Sequence, residues 1–438
     1  MSARPNGAAA KPSGPAATLH PHNYPRREPP PTFLHWLLCH PRRSIPLLLA
    51  LWMLWHAVVV SHAPGQAVTG AASSSQPLTI RPAPPAPPPT AIIAPPKPLE
   101  PEQPPTFPEG GPTTVCLAFR ASSAGTCEVP KGAKPALARD STCTSLVAGP
   151  GHCEVMDLHY DADGAPQPVG VRRVMTIGCN SHPMALRCSD APEFSVFASA
   201  AAAYRHPPLP AAEQLPRLPR GVVMCVSDTM MLSAYTVVRL LRSHGCTLPV
   251  ELWSFEGEVT ARTSALTDQL VAEHGAVMRT IHMTKEALCH DVRRCFGAKP
   301  YSLFHSRFDQ VMLLDADNFP VRDPTYLFDT PEFRDTGALF WPDFWHPRDT
   351  IFQVHRANMV WELLGIPFVD MFEQESGQLL VDRTRHEAPL HLVMYYAKPE
   401  NLLWRWNLVW GDKDLYRLAW MRAGAAFHMV QTPPGAAG

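Results

Sequence analysis

"GVVMCVSDTMMLSAYTVVRLLRSHGCTLPVELWSF", residues 221 to 255, holds two apolar runs of strand length on either side of a stretch whose apolar residues recur at helical spacing. "GVVMCVS" (221 to 227) is apolar almost throughout and reads as a strand buried on both faces. "DTMMLSAYTVVRLLRSHG" follows as a helix, with Asp228 as its N-cap and Gly245 as its stop. "LPVELWSF" is then a second strand. The alternation continues with "TARTSALTDQLVAEHG" as a helix, "AVMRTI" as a strand, "KPYSLFHS" as a helix and "QVMLLDAD" as a fourth strand. Strands alternating with helices predict an α/β fold with a mostly parallel central sheet. In such sheets ligands bind beyond the carboxyl ends of the strands.

The fourth strand ends on Asp315 and Asp317, two apart on extended backbone, so both carboxylates can point to one side. Paired carboxylate oxygens at that position suit a hard divalent cation, Mn²⁺ or Mg²⁺, which keeps waters and phosphate oxygens as its other ligands. Other chemistries lack their signatures. There is no G-x-S-x-G elbow for acyl transfer, no G-x-x-x-x-G-K-[ST] loop to cradle phosphates and no CxxC pair for a zinc site.

Working outward, the chain of 438 residues is 45% hydrophobic, enough for one large domain or two smaller ones. A formal net charge of −1 offers no basic face for nucleic acid. Residues 113 to 190 carry six cysteines among many Gly, Ser, Asp and Pro residues, and read as a small Cys-rich module stapled by disulfides rather than built on a hydrophobic core. Proline is concentrated upstream: 26 of the 50 lie in residues 1 to 112, so residues 61 to 112 read as an extended stem. Before the stem, "SIPLLLALWMLWHAVVV" (44 to 60) is uncharged and follows Arg26, Arg27, Arg42 and Arg43. An apolar span approaching the roughly 20 residues that cross a bilayer, with arginines on its N-terminal side, predicts a type II signal anchor and a cytosolic tail over residues 1 to 43. Cys39 lies at that membrane face, and the ten remaining cysteines follow the stem, an even number on the oxidising side where disulfides form.

Four stretches occur in an order that resembles the fungal Golgi α-1,3-mannosyltransferases, type II membrane enzymes with a GT-A-like nucleotide-sugar domain. They are "LRSHGCTLPVELW", "KPYSLFHSRFDQVMLLDADNFPVRDPTYLFDTPEFRDTGALFWPDFW", "EQESGQLLVDR" and "WGDKDLYRLAW", within residues 219 to 438. The resemblance implies that Asp315 and Asp317 bind Mn²⁺ (or Mg²⁺) and bridge it to the diphosphate of GDP-mannose, with Lys299 meeting phosphate. It implies that Gln374, Glu375, Ser376 and Gly377 lie along the donor sugar, Glu375 also steadying charge at the anomeric carbon. Asp412 matches an acidic residue near donor and acceptor, with Lys413 beside it. Trp341, Asp343 and Trp345 of "FWPDFW" form a candidate acceptor platform, an aromatic face beside a carboxylate.

The resemblance also implies a further C-terminal part that supplies a metal ligand and closes over the nucleotide. This chain ends at "FHMVQTPPGAAG", where His428 is the candidate substitute; a shortened chain or impaired catalysis are the alternatives. The function so implied is transfer of mannose from GDP-mannose to a glycoprotein or cell-wall glycan in the Golgi, with retention of the α-linkage. Two other readings stay open: a transferase using a UDP-hexose, and a membrane-tethered glycan-binding protein without activity.

Overall fold

A computed structural model describes residues 114–122, 139–178, 184–291, 295–350 and 354–435. The expected tail, anchor and stem, together with Cys39, Cys127 and Cys179, lie outside the described residues. Among the described residues no helix is long and apolar enough to cross a membrane.

Twelve strands can be followed in chain order among the described residues: β1 (Thr114–Ala121), β2 (Val147–Ala148), β3 (Gly151–Tyr160), β4 (Pro166–Ile177), β5 (Ala185–Leu186), β6 (Leu218–Cys225), β7 (Val250–Phe255), β8 (Ala276–Ile281), β9 (Phe308–Leu314), β10 (Ala338–Pro342), β11 (Gln374–Asp382) and β12 (His428–Met429). The last seven form one sheet in the order β12-β10-β11-β9-β6-β7-β8. The apolar runs quoted above become its parallel centre, β9-β6-β7-β8. β11 runs antiparallel to both β9 and β10, so its first residues meet the carboxyl ends of those two strands.

Burial explains the residue choices. Every residue of β7 is buried, including Glu251, whose charge is met by Arg279 of β8 at 3.1 Å and by the Trp253 indole N–H at 3.1 Å. Gly221 in β6 has no side chain because the Phe308 ring of β9 fills that space; an added Cβ would lie 2.3 Å from it. The helix Met231–Ser243 buries Met231, Ala234, Val237, Val238 and Leu241, one face at helical spacing, and Gly245 turns the chain at φ +88°. Asp228 is not its N-cap. Met230 holds that position, and the Asp228 carboxylate instead accepts hydrogen bonds from Thr260 and Thr263, pinning the loop after β7.

The Cys-rich region is built as an antiparallel sheet, β1-β3-β4, with disulfides Cys116–Cys143 and Cys153–Cys188. Contrary to the reading of a module without a core, Val155, Val174, Ile177 and Leu186 belong to the same buried cluster as residues of the large sheet. The helix Ala191–Ala203 carries the join: Phe197 packs edge-on against Tyr395 at 5.3 Å, and Arg405 pairs with Asp190 and Glu193. Met175 adopts φ 57°, uncommon for a residue with a side chain, and the Glu362 carboxylate accepts from its N–H at 2.8 Å and from that of Thr176 at 3.0 Å. Cysteine parity does not carry over to pairing. A third disulfide joins Cys289 to Cys295, while Cys225 and Cys246 are free thiols.

Candidate active site

β9 delivers Asp315 to the carboxyl edge of the sheet. Its backbone N–H donates to the Gly377 carbonyl of β11 at 2.8 Å, and its own carbonyl accepts from Asn318 at 3.0 Å, closing a tight turn. Asn318 clamps that turn to β11 by donating to the Gly377 carbonyl (3.1 Å) and the Gln378 side chain (2.6 Å). Gly377 permits the close approach, since a Cβ there would lie 3.1 Å from Glu375 Oε1 and 3.7 Å from Asp315 Oδ2. Asp317, two residues on, is exposed.

Lys299, near the start of the helix Ala298–His305, reaches the same point. Its Nζ lies 2.8 Å from Asp315 Oδ1 and 2.9 Å from Oδ2, 3.3 Å from Ser376 Oγ and 3.6 Å from Asp412 Oδ1. Asp412 is 2% exposed, accepting from Ser376 Oγ (3.1 Å) and from the Tyr416 hydroxyl (2.9 Å). One lysine therefore faces the carboxylates of Asp315 and Asp412. Burial raises the Asp315 carboxyl to about 6, the charges of Asp412 and Asp317 adding to that and Lys299 opposing it. Burial works against the charge of Lys299, but Asp412 and Asp315 outweigh it and hold the ammonium firmly protonated.

The structure thus brings together Lys299, Asp315, Glu375, Ser376, Gly377 and Asp412. Glu375 accepts from the Gly377 N–H at 2.6 Å and is half-buried at the rim. Asp412 is sealed behind Lys299 and Ser376 rather than facing the opening, so its role here is to position those two groups. Asp412 does not cap the following helix; Asp414 stands at that position.

Other expected site residues are elsewhere. Gln374 is fully buried: its side-chain oxygen accepts from the Arg417 N–H at 2.8 Å and its own N–H donates to Asp414 at 3.1 Å. It cannot reach a donor sugar from there. Lys413 and Asp343 satisfy each other at 2.8 Å, with Glu373 at 2.5 Å from the same ammonium, all three at most 8% exposed. They form a buried brace, not an acceptor platform. Trp341 sits opposite Glu375 at a bulge of β10 and is half-buried against the core, and Trp345 is half-buried. Of the aromatics near these segments, Phe344 (60%) and Trp410 (55%), two residues before Asp412, are exposed.

His428 pairs with Leu339 on β10, level with Leu380 on β11 and Met312 on β9. That register leaves it three strands, roughly 14 Å, across the sheet from β9 and three residues short of Asp315. Burial lowers its pKa, and the charge acting on it is that of Glu332. It does not join the aspartates, and among the described residues no group of three or more His, Cys, Asp and Glu is arranged to hold a metal ion.

Sequence reasoning missed Cys225, Ser302, Asn318 and Tyr416. Cys225, the last residue of β6, lies 3.3 Å from Ser302 Oγ beneath Lys299, and burial pushes its thiol up to about 12. Its place at a strand's carboxyl end was a usable signal, obscured by counting it towards disulfides.

A family profile described as "Mannosyltransferase putative" matches residues 219–438, half of the sequence, and the chain belongs to that family. The α-1,2-mannosyltransferase MNN2 of Saccharomyces cerevisiae is 25% identical over 257 residues, covering 50% of this chain and 42% of that protein. MNN22 of Candida albicans, also named an α-1,2-mannosyltransferase, is 26% identical over 249 residues, covering 48% and 42%. The chain thus spans under half the length of these relatives, and their names carry a 1,2 rather than a 1,3 linkage. Among solved structures, core-mannan synthase A from Aspergillus fumigatus, in its Mn/GDP form, is 8% identical with a TM-score of 0.32, over 62% of this chain and 85% of that one, too distant to carry an argument.

Proposed function

We propose that this protein is a Golgi type II glycosyltransferase that moves mannose from GDP-mannose to a glycan acceptor with retention of configuration, through a GT-A-like domain spanning residues 219–438. Membership of the mannosyltransferase family supports the sugar. The observation that carries the reading is the cluster at the carboxyl end of β9, where Asp315 and Asp317 stand at the edge with Lys299 as the facing cation.

The cluster fits a divalent cation on its donor chemistry: hard carboxylate oxygens, more negative charge than Lys299 balances, and fewer protein ligands than such an ion needs, leaving room for phosphate oxygens. Asp315 and Asp317 would hold Mn²⁺ or Mg²⁺, whose charge would neutralise the departing diphosphate. Lys299 donates to Asp315 here and is placed to donate to a phosphate oxygen as well. Glu375, at the rim, accepts hydroxyls of the donor sugar. Asp412 has both oxygens engaged and is sealed from solvent, so it is not offered as a nucleophile, and retention is assigned to front-face displacement. The predicted anchor and the disulfides support a lumenal catalytic part.

The test is transfer by the full chain from GDP-mannose, UDP-glucose and UDP-galactose to an α-linked mannobiose, with Mn²⁺ and with chelator. Metal-dependent transfer from GDP-mannose alone, giving an α-anomeric product by NMR, is the expected result. Transfer from a UDP-sugar overturns the donor assignment. Glycan binding without transfer from any donor favours the non-catalytic reading.

A further inference from the structure

The segment leaving β10 and the segment leading into β11 line a recess of about 470 Å³ that no role above uses. One wall carries Arg348, His355 and Arg356; the other carries Phe368 and Asp370. Both walls belong to the connection between β10 and β11. Asp370 stands seven residues before Gly377, at most roughly 23 Å along an extended chain, within reach of an oligosaccharide of a few sugars.

The recess is built rather than incidental. Arg356 lies over the Phe368 ring at 4.5 Å, and Phe368 packs edge-on against Trp361 at 5.3 Å. Asp370 is shared by Arg348 at 3.4 Å and His346 at 3.5 Å. The His355 carbonyl accepts from the Trp361 indole at 2.9 Å, tying the arginine wall to the helix Val360–Leu364. Beneath, the brace holds the two segments together: Asp343 donates its N–H to the Glu373 carbonyl at 2.7 Å, Glu373 donates to the Trp345 carbonyl at 2.9 Å, and Lys413 joins both side chains.

We infer that this recess is an acceptor subsite that binds a neutral hexose of the glycan, away from the sugar that receives mannose. Vicinal hydroxyls both donate and accept; Asp370 accepts hydrogen bonds from them while Arg348 and Arg356 donate to their oxygens, and the Phe368 ring offers an apolar face to the sugar's C–H surface. The inference rests on the glycosyltransferase reading for its role, but not for its binding.

The experiment is saturation-transfer NMR and calorimetry of α-linked mannobiose with the full chain, together with Arg356→Ala, Asp370→Asn and their double variant, and GDP binding as the control. Weakening of mannobiose binding by about tenfold in each single variant, with unchanged GDP affinity, is expected. A matching rise in acceptor KM follows wherever transfer is measurable. Mannobiose that does not bind the unaltered chain, or that binds all variants equally, overturns the subsite. Absent GDP binding and transfer, with mannobiose binding still lost in the variants, removes the catalytic reading and leaves the sugar site standing.

Discussion

Two clusters of acids and lysine lie close together in this chain and use the same residue types to opposite ends. Around Lys299, one cation faces two carboxylates, Asp315 and Asp412, and the assembly opens to solvent at Asp317. Around Lys413, the ammonium is closed in by Asp343 and Glu373, Arg417 pairs with Asp414, and nothing in the group exceeds 8% exposure. Burial raises the Glu373 carboxyl, Asp414 adding to that, while Lys413 and the Thr350 hydroxyl counter it. An open cluster with surplus negative charge is a place for a ligand, whereas a sealed one is a structural joint. Motif matching assigns Lys413 and Asp343 to substrate; their burial assigns them to the frame.

Substitutions at the two lysine sites separate these roles. The largest effect is expected for Asp315→Asn, which should lower transferase activity by on the order of 10³-fold while leaving the circular dichroism spectrum unchanged. Retained turnover would sink the ligand role. Lys413→Met should instead act on folding, because it strands the buried carboxylates of Asp343 and Glu373; a loss of about 3 to 5 kcal/mol in denaturant unfolding is expected. A stable Lys413→Met variant whose only defect is acceptor KM would restore Lys413 to the substrate side. Gly221→Ala, which forces a Cβ against Phe308, should cost about 1 to 3 kcal/mol with nucleotide affinity unchanged.

A smaller effect comes from a third cluster, where His206 Nε2 and His305 Nε2 share a hydrogen bond at 3.0 Å and the His206 N–H donates to His391. Burial lowers His206 to about 4 and His305 to about 3, neighbouring histidines adding to the shift, against 6.5 in the unfolded chain. Between those values the unfolded chain binds more protons, so stability is full above pH 6.5 and falls as pH drops towards 4. A lower unfolding free energy at pH 5 than at pH 7 is expected, and His305→Gln should flatten the profile. A flat profile in the unaltered protein would contradict the neutral pair.

The same contrast explains what could be read from the sequence. The parallel core strands were legible because a strand buried on both faces must be apolar along its length, and "GVVMCV", "VELWSF" and "QVMLL" are nearly so. Asp315 and Asp317 stood out because strand ends and the following turns gather ligand-binding groups, whereas Lys299, in the helix Ala298–His305, was marked only by the resemblance. The burial of Gln374 and Asp343 was not, since it depends on the helix Leu415–Ala423 and on Lys413, 40 residues and more away in sequence. The packing of the Cys-rich sheet was equally hidden, as the bonds from Met175 and Thr176 to Glu362 span 187 and 186 residues. His428 was the candidate substitute for a ligand implied by the resemblance, and strand register puts it out of reach.

The central claim is that the open cluster holds a metal-dependent nucleotide site. Calorimetric titration of the full chain with GDP, with and without Mn²⁺ and against UDP, tests it most directly when repeated on Asp315→Asn. The account predicts binding of GDP over UDP that needs Mn²⁺ and disappears in the variant. GDP binding that is indifferent to the metal and unchanged by Asp315→Asn would contradict it.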